Sequence, residues 1–402
     1  MLNSTFIALS LRCLSSISPF VSNRQNIYMS KSTIFNSINS FIYNVNSASY
    51  FIKGSTFGNF LNSAILIQKE SMKYNTIFTE RPAQPNTGDA IICFDSIFIN
   101  CSSKLDGGAI SHFSSFEGTL DVQRTTFVNC NSGPAPGDGG CIYFTGQKSN
   151  IDSCCVLRCS AGRDGHSFCI SIRSPLSSTD SKNTNDYEVQ PNYCNRTSIT
   201  QSSPKNSARG WQSLYLGFGK IRIIDLNSTE NAVVSQAGSF MMHTMDSDAV
   251  ALHCTIAKNI GPWIVYLYAK FGSAIEESNF VGNLVTKQEE SGLIMFHKLG
   301  QLNNCFISHL QGKLFKGNRE GAEITVNNCV FDVEFDNEPG VIRNNCRFDI
   351  KGVMTLPLAH FNTELCASQR DLSKNPIQES EILMIMKNYF KNPSALLNRT
   401  KI

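Results

Sequence analysis

Apolar residues along this chain arrive in short β-branched or aromatic runs, broken by polar turns rich in Asn, Ser and Gly. One phrase recurs within the pattern: a small polar residue, Thr or Ile, Phe, and often Asn. It reads "STIFNS" at Phe35, "GSTFGN" at Phe57, "NTIFTE" at Phe78, "DSIFIN" at Phe98 and "RTTFVN" at Phe127, at intervals of 22, 21, 20 and 29 residues. It returns as "HCTIAKN" (Ile256), "ESNFVGN" (Phe280), "NNCFISH" (Phe306) and "NNCVFDV" (Phe331), at intervals of 24, 26 and 25. Stacked helical repeats keep their period. Coils built of fixed strands and variable turns keep the phrase and let the spacing drift.

A second phrase marks the turns. "LDGGAISHF" (Leu105 to Phe113) and "GDGGCIYF" (Gly137 to Phe144) each follow an F-x-N-C, at Phe98 to Cys101 and Phe127 to Cys130. Cys101, Cys130 and Cys159 are spaced 29 and 29 residues apart, and each leads to an apolar Ile, at 110, 142 and 170. Gly107, Gly108, Gly139 and Gly140 suit a turn that needs positive φ. A single coil cannot bury its own apolar face. Coils stacked at about 4.8 Å can, with Phe, Ile and Cys ladders inside and Asn satisfying turn amides.

The expected fold is therefore all-β: a single-stranded right-handed parallel β-helix of about twelve to fourteen coils, its hand taken from the crossover rule for parallel strands. The solenoid is assigned to residues 1–370. Within it, the polar, Pro-punctuated segment Ser174 to Arg209 reads as a projecting loop. Residues 371–402 form a tail in which "ESEILMIMKNYF" has the spacing of an amphipathic helix, expected to cap an open solenoid end.

Composition narrows the function classes. The net charge of +3 comes from interspersed charges with no basic stripe, so nucleic acid is not an expected partner. No apolar run approaches the roughly 18 to 20 residues of a membrane-spanning helix. The N-terminal patch Phe6 to Leu11 lacks an early positive charge and is followed by Arg12, a poor match to a secretion signal. The 15 cysteines show no paired C-x-x-C spacing, so no metal site is assigned and stacked core thiols are expected.

With "DGGAI" (Asp106 to Ile110) and "FINC" (Phe98 to Cys101) in view, the chain resembles the G-G-A-I and F-x-x-N repeats of polymorphic outer-membrane proteins and the right-handed β-helix domain proteins of protozoa. The resemblance is most specific over residues 94 to 170. It implies a pectin-lyase-like β-helix with an adhesive role, extracellular or at a cell surface. It brings no catalytic residues with it.

The candidate chemistry is an aspartate series. Asp106 and Asp138 each precede Gly-Gly, Asp164 precedes Gly165, and Asp89 precedes Ala90 and Ile91. Stacked on successive coils, such carboxylates repel unless a cation lies between them, so the column can serve Ca²⁺ binding or acid/base work on a glycan. The simpler reading, preferred here, is turn chemistry: Asp bonding its own turn and Gly supplying positive φ. Neither Arg124 nor Arg163 has an assignable partner in the sequence, and the seven His form no metal-type pair. Sequons stand at Asn3, Asn100, Asn195, Asn227 and Asn398, with Asn195 the expected exposed acceptor. These observations favour a non-catalytic solenoid whose face contacts a glycan or surface protein. A polysaccharide lyase or glycoside hydrolase on the same fold is the alternative, and a truncated copy of a larger surface protein is a third reading.

Overall fold

The computed structural model describes strand residues 4–7, 10–11 and 20–21, and then residues 26–37, 39–44, 49–68, 89–113, 118–133, 137–172, 189–203, 210–286, 291–308, 313–315, 322–332 and 340–348. The strands lie in a compact unit, Met1–Phe361; the second unit, Asn362–Ile402, lies outside the described residues, and with it the expected capping helix.

A full coil contributes one strand to each of three long sheets. In one coil these are Ala90–Phe94, Ile97–Ile99 and Ile110–Phe113; in the next, Thr119–Gln123, Thr126–Val128 and Ile142–Gly146. The sheets hold 13, 12 and 10 strands in strict chain order, and each of these pairs is parallel to its counterpart one coil on. This is a parallel β-helix, and no helix occurs among the described residues.

Alternation along the strands decides what is inside. Ala90–Phe94 buries Ile91 and Cys93 and turns Ala90, Ile92 and Phe94 outward, as the period of two requires. In the second sheet Phe57, Phe98 and Phe127 are in register and fully buried. Their rings stack nearly parallel at centroid distances of 4.9 and 5.2 Å. The third sheet adds Ile110, Ile142, Phe168 and Leu214.

Two turn columns flank the second sheet, and they explain the polar letters of the repeated phrase. Before each of its strands one residue takes positive φ (Asp95, 51°; Arg124, 47°; Ser153, 55°). The small residue that follows, Ser96, Thr125 or Cys154, bonds back to the carbonyl two residues earlier. Towards or just past the end of the strand Asn59, Asn100 and Asn129 take positive φ, and Asn side chains are among the cheapest in that region. Their amides form a ladder, Asn129 to Asn100 at 3.2 Å and Asn100 to Asn59 at 3.1 Å. Next to it Cys101, Cys130 and Cys159 are fully buried, with the Cys130 amide donating to Cys159 Sγ at 3.3 Å. Asn231, Asn259 and Asn283 take over this inner role farther along, each side-chain oxygen receiving the amide of the preceding coil. The cysteines are thus mostly buried free thiols; Cys155, beside the inward Val156, is disulfide-bonded.

The register corrects three expectations. Phe98 pairs directly with Phe57, so these two are successive rungs of the column; the phrase at Phe78 lies outside the described residues. Phrase matching also slips by one at two places. Ile34 pairs with Phe57 while Phe35 lies over Gly58, and Ile307 rather than Phe306 continues the core column to Phe331. Finally, the segment Ser174 to Arg209 is not one projecting loop. Pro191–Asn195 and Ser198–Thr200 are rungs of the first and second sheets. Asn195 accordingly sits in a strand, not on a loop tip.

Candidate functional site

The Gly-rich turns enter the third sheet, and they stack. The amide of Gly107 donates to Asp138 O at 2.8 Å, and that of Gly139 to Asp164 O at 2.8 Å. Gly107 and Gly139 have φ of 65° and 66°, which disfavours any side chain there. Gly108 and Gly140 are required by proximity: a Cβ on Gly140 would meet His166 O at 2.0 Å, and one on Gly108 would meet Gly140 O at 2.2 Å. Asp106, Asp138 and Asp164 therefore occupy one column on successive coils. Asp89 does not join them; it is buried at the start of a first-sheet strand, 3.5 Å from His112 Nε2.

Within the column Asp106 and Asp138 each reach the next coil. The Asp138 amide donates to Asp106 Oδ1 at 2.8 Å, and the Asp164 amide to Asp138 Oδ1 at 3.0 Å. The cation among these carboxylates is a guanidinium: Arg163 donates through Nε to Asp138 Oδ1 at 2.9 Å and through Nη2 to Asp138 Oδ2 at 2.5 Å, with Asp164 Oδ2 3.4 Å from Nε. Burial raises the Asp106 carboxyl, and the charge of Asp138 adds to the rise. Burial, then Asp138, pushes Asp164 up to about 7, against the pull of Arg163 and the Gln212 side chain. Asp138 and Asp164, by contrast, hold the Arg163 guanidinium well above its ordinary range.

Aromatic side chains adjoin this charged column. The exposed Trp211 ring lies 6.0 Å from the Arg163 guanidinium, a cation–π arrangement. Next to the turns, the first outward position of the third sheet runs Tyr143, Cys169, Tyr215, Met241, Tyr266 and Met295 through successive coils. Proximity is electrostatically visible: burial raises the Tyr143 phenol, and the neighbouring Cys169, Asp106 and Asp138 add to the rise. Trp263 packs against Tyr266 at 5.7 Å. Tyr215 Oη is 3.3 Å from His243 Nδ1, and His243 contacts the ring of Tyr268.

Three polar atoms along this flank are buried without a hydrogen-bond partner: Gln212 Oε1, Gln236 Oε1 and Trp263 Nε1. Such atoms cost free energy unless something fills their bonding capacity. The Gln212 side chain approaches Asp164, yet Asp164 Oδ1 too lacks a well-aligned partner.

The sequence placed the aspartates together but not Arg163 or the aromatics. A signal was present. "IYF" at 142–144, "LYL" at 214–216 and "VYL" at 265–267 each set a Tyr between two core residues, which forces it outward. Arg124, the other unassigned cation, belongs elsewhere: it pairs with Asp95 at 2.6 Å beside the second sheet. His166 is buried and pushed down to about 3 by desolvation, so it stays neutral. Among the described residues no group of His, Cys, Asp and Glu is arranged to hold a metal ion, and no helix is long and apolar enough to cross a membrane. No protein-family model, curated protein or solved structure matches the chain.

Proposed function

We propose that this protein is a non-catalytic β-helix that binds glycan along the flank formed by Asp164, Arg163, Trp211 and the outward tyrosines, in an adhesin-like role of the kind that the outer-membrane repeat resemblance implies. The observation that carries the reading is the exposed Trp211 beside Arg163. An aromatic face covers the apolar face of a sugar ring, while neighbouring charged and amide groups take its hydroxyls; that mixture is the ordinary make-up of a small-molecule site. Two of three carboxylates in the column already hold backbone amides or Arg163, which favours a supporting role for them.

One observation favours an enzyme instead: Asp164, near neutral acidity, lies beside Asp138 in the manner of an acid with a carboxylate neighbour. A hydrolase needs a second carboxylate free to act as base or nucleophile. Asp138 has both oxygens on Arg163.

The chain's 2 tryptophans, Trp211 and Trp263, both lie on this flank, so their fluorescence reports on it. Titration with a panel of neutral, amino and acidic oligosaccharides is expected to perturb that signal, and Trp211→Ala to weaken binding about tenfold. A panel that leaves fluorescence and calorimetry unchanged refutes the reading. New reducing ends that vanish in Asp164→Asn would put a hydrolase in its place.

A further inference from the structure

The outward column of the third sheet has a rhythm that the proposed glycan site does not by itself require. After Tyr43, Leu66 and Ser111 on earlier coils, its residues alternate between an aromatic ring and a sulfur-containing side chain: Tyr143, Cys169, Tyr215, Met241, Tyr266, Met295. Cys169 and Met241 are buried, whereas the three tyrosines are part-exposed, so the rings stand at every second coil. Two coils advance about 9.6 Å along the stack. That is close to the two-sugar repeat of a straight, equatorially linked polysaccharide, in which alternate sugars present the same face.

We infer that the ligand is a neutral, extended glycan of the cellulose or chitin type, lying parallel to the stacking direction with every second sugar against Tyr143, Tyr215 or Tyr266. This deepens the glycan-binding reading and rests on it. Three further observations point the same way. Gln212, only 1% exposed, has an unpartnered Oε1; Gln236 Oε1 and Trp263 Nε1 are likewise unpartnered, and the three stand just before, or at the first residue of, third-sheet strands. Hydroxyls can satisfy such atoms because each both donates and accepts. Trp263 packs on Tyr266, which broadens the aromatic platform at that coil. Arg163 is already paired with Asp138 and flanked by Asp164, so the charged end of the flank offers no free cation to hold a polyanion.

The test is calorimetric titration of the full chain with chito- and cello-oligosaccharides, disaccharide through hexasaccharide, alongside oligogalacturonates and the curved laminari-oligosaccharides. Affinity is expected to rise about tenfold or more from disaccharide to hexasaccharide as successive rings engage, with the straight neutral series tightest. Comparing the chito and cello arms tells whether the N-acetyl group is read. Tyr266→Leu, which keeps an apolar side chain on the strand, is expected to remove most of the gain with length; a circular dichroism melt checks that it folds. Affinity independent of length, a Tyr266→Leu variant that retains the gain, or oligogalacturonate binding as tightly as the neutral chains overturns the inference. In those cases Trp211-dependent binding of short glycans would leave the glycan-binding reading standing. Failure of every glycan to bind removes both.

Discussion

The acidity of Asp164 makes stability depend on pH in a direction opposite to that of an ordinary ion-paired carboxylate. The unfolded chain ionises this group near 3.8 and the folded protein near about 7, chiefly because burial disfavours the charge. Between those values the folded state holds a proton that the unfolded state has released. The contribution of Asp164 to stability therefore falls as pH rises through this window and levels off above it. Each tenfold change in acidity is worth about 1.4 kcal/mol, so the whole excursion is on the order of 4 kcal/mol. The carboxyl is 16% exposed, so solvent screening takes little from that figure.

Asp164→Asn replaces the acid with a neutral side chain of the same shape. Near pH 4, where the native carboxyl is protonated, parent and variant should match in urea denaturation followed by circular dichroism. By about pH 8 the variant should be more stable by up to about 4 kcal/mol, because the parent then buries a charge beside Asp138. His166, which burial pushes down to about 3, contributes with the opposite sign over much of this window, and Asp95, which Arg124 holds below its ordinary range, does so at lower pH; both act equally in parent and variant, so the difference between the two curves reports Asp164. Parallel parent and variant curves from about pH 4 to about pH 8, or a gap that opens in the parent's favour, would refute the reasoning.

Phe127→Ala removes a fully buried ring stacked on Phe98 and in edge contact with Phe168, and is expected to cost about 3 to 5 kcal/mol in the same denaturation assay; a loss under about 1 kcal/mol would contradict the register. Gly140→Ala, whose Cβ would meet the backbone oxygen of His166 at 2.0 Å, should destabilise by about 3 kcal/mol or more, whereas Asp106→Asn keeps an oxygen for the Asp138 amide and should stay within about 1 kcal/mol of the parent. The reverse order would show that the column depends on charge and not on close approach of the coils.

The fold was legible because its determinants repeat. Phe57, Phe98 and Phe127 stand in one column, and a period that drifts while the phrase persists has few structural explanations. Where phrase matching failed, a local physical cause is visible. Aligning Phe with Phe put Phe35 inside, but the backbone places Ile34 there, because either apolar residue can fill the column and the letter carries less information than the parity of the strand. The rung at Pro191–Thr200 was hidden because its flanks are Pro- and Ser-rich and its buried positions include the polar Asn192 and Ser198; Cys194 and Ile199 were its only buried apolar signals. The aspartate column was legible from D-G-G and D-G. The partner of Asp138 was not, since Arg163 reaches it across a coil boundary and nothing in a linear sequence reports that distance.

Inward and outward positions of such a coil answer to different constraints, and this is why architecture could be read where chemistry could not. An inward residue must match the residues above and below it in the stack, so neighbouring coils converge on Phe, Ile and Leu. An outward residue on the third sheet faces no such demand for packing. Polar and aromatic side chains gathered there on consecutive coils have no role in filling the core, and buried atoms such as Gln212 Oε1 and Trp263 Nε1 are left without partners at a cost the fold itself does not need. Residues that disobey the stacking rule on one face and over adjacent coils are what a binding surface laid along a solenoid would leave behind. That argues for seeking the ligand on the flank from Asp106 to Tyr266 rather than on the second sheet, where the turn residues satisfy one another.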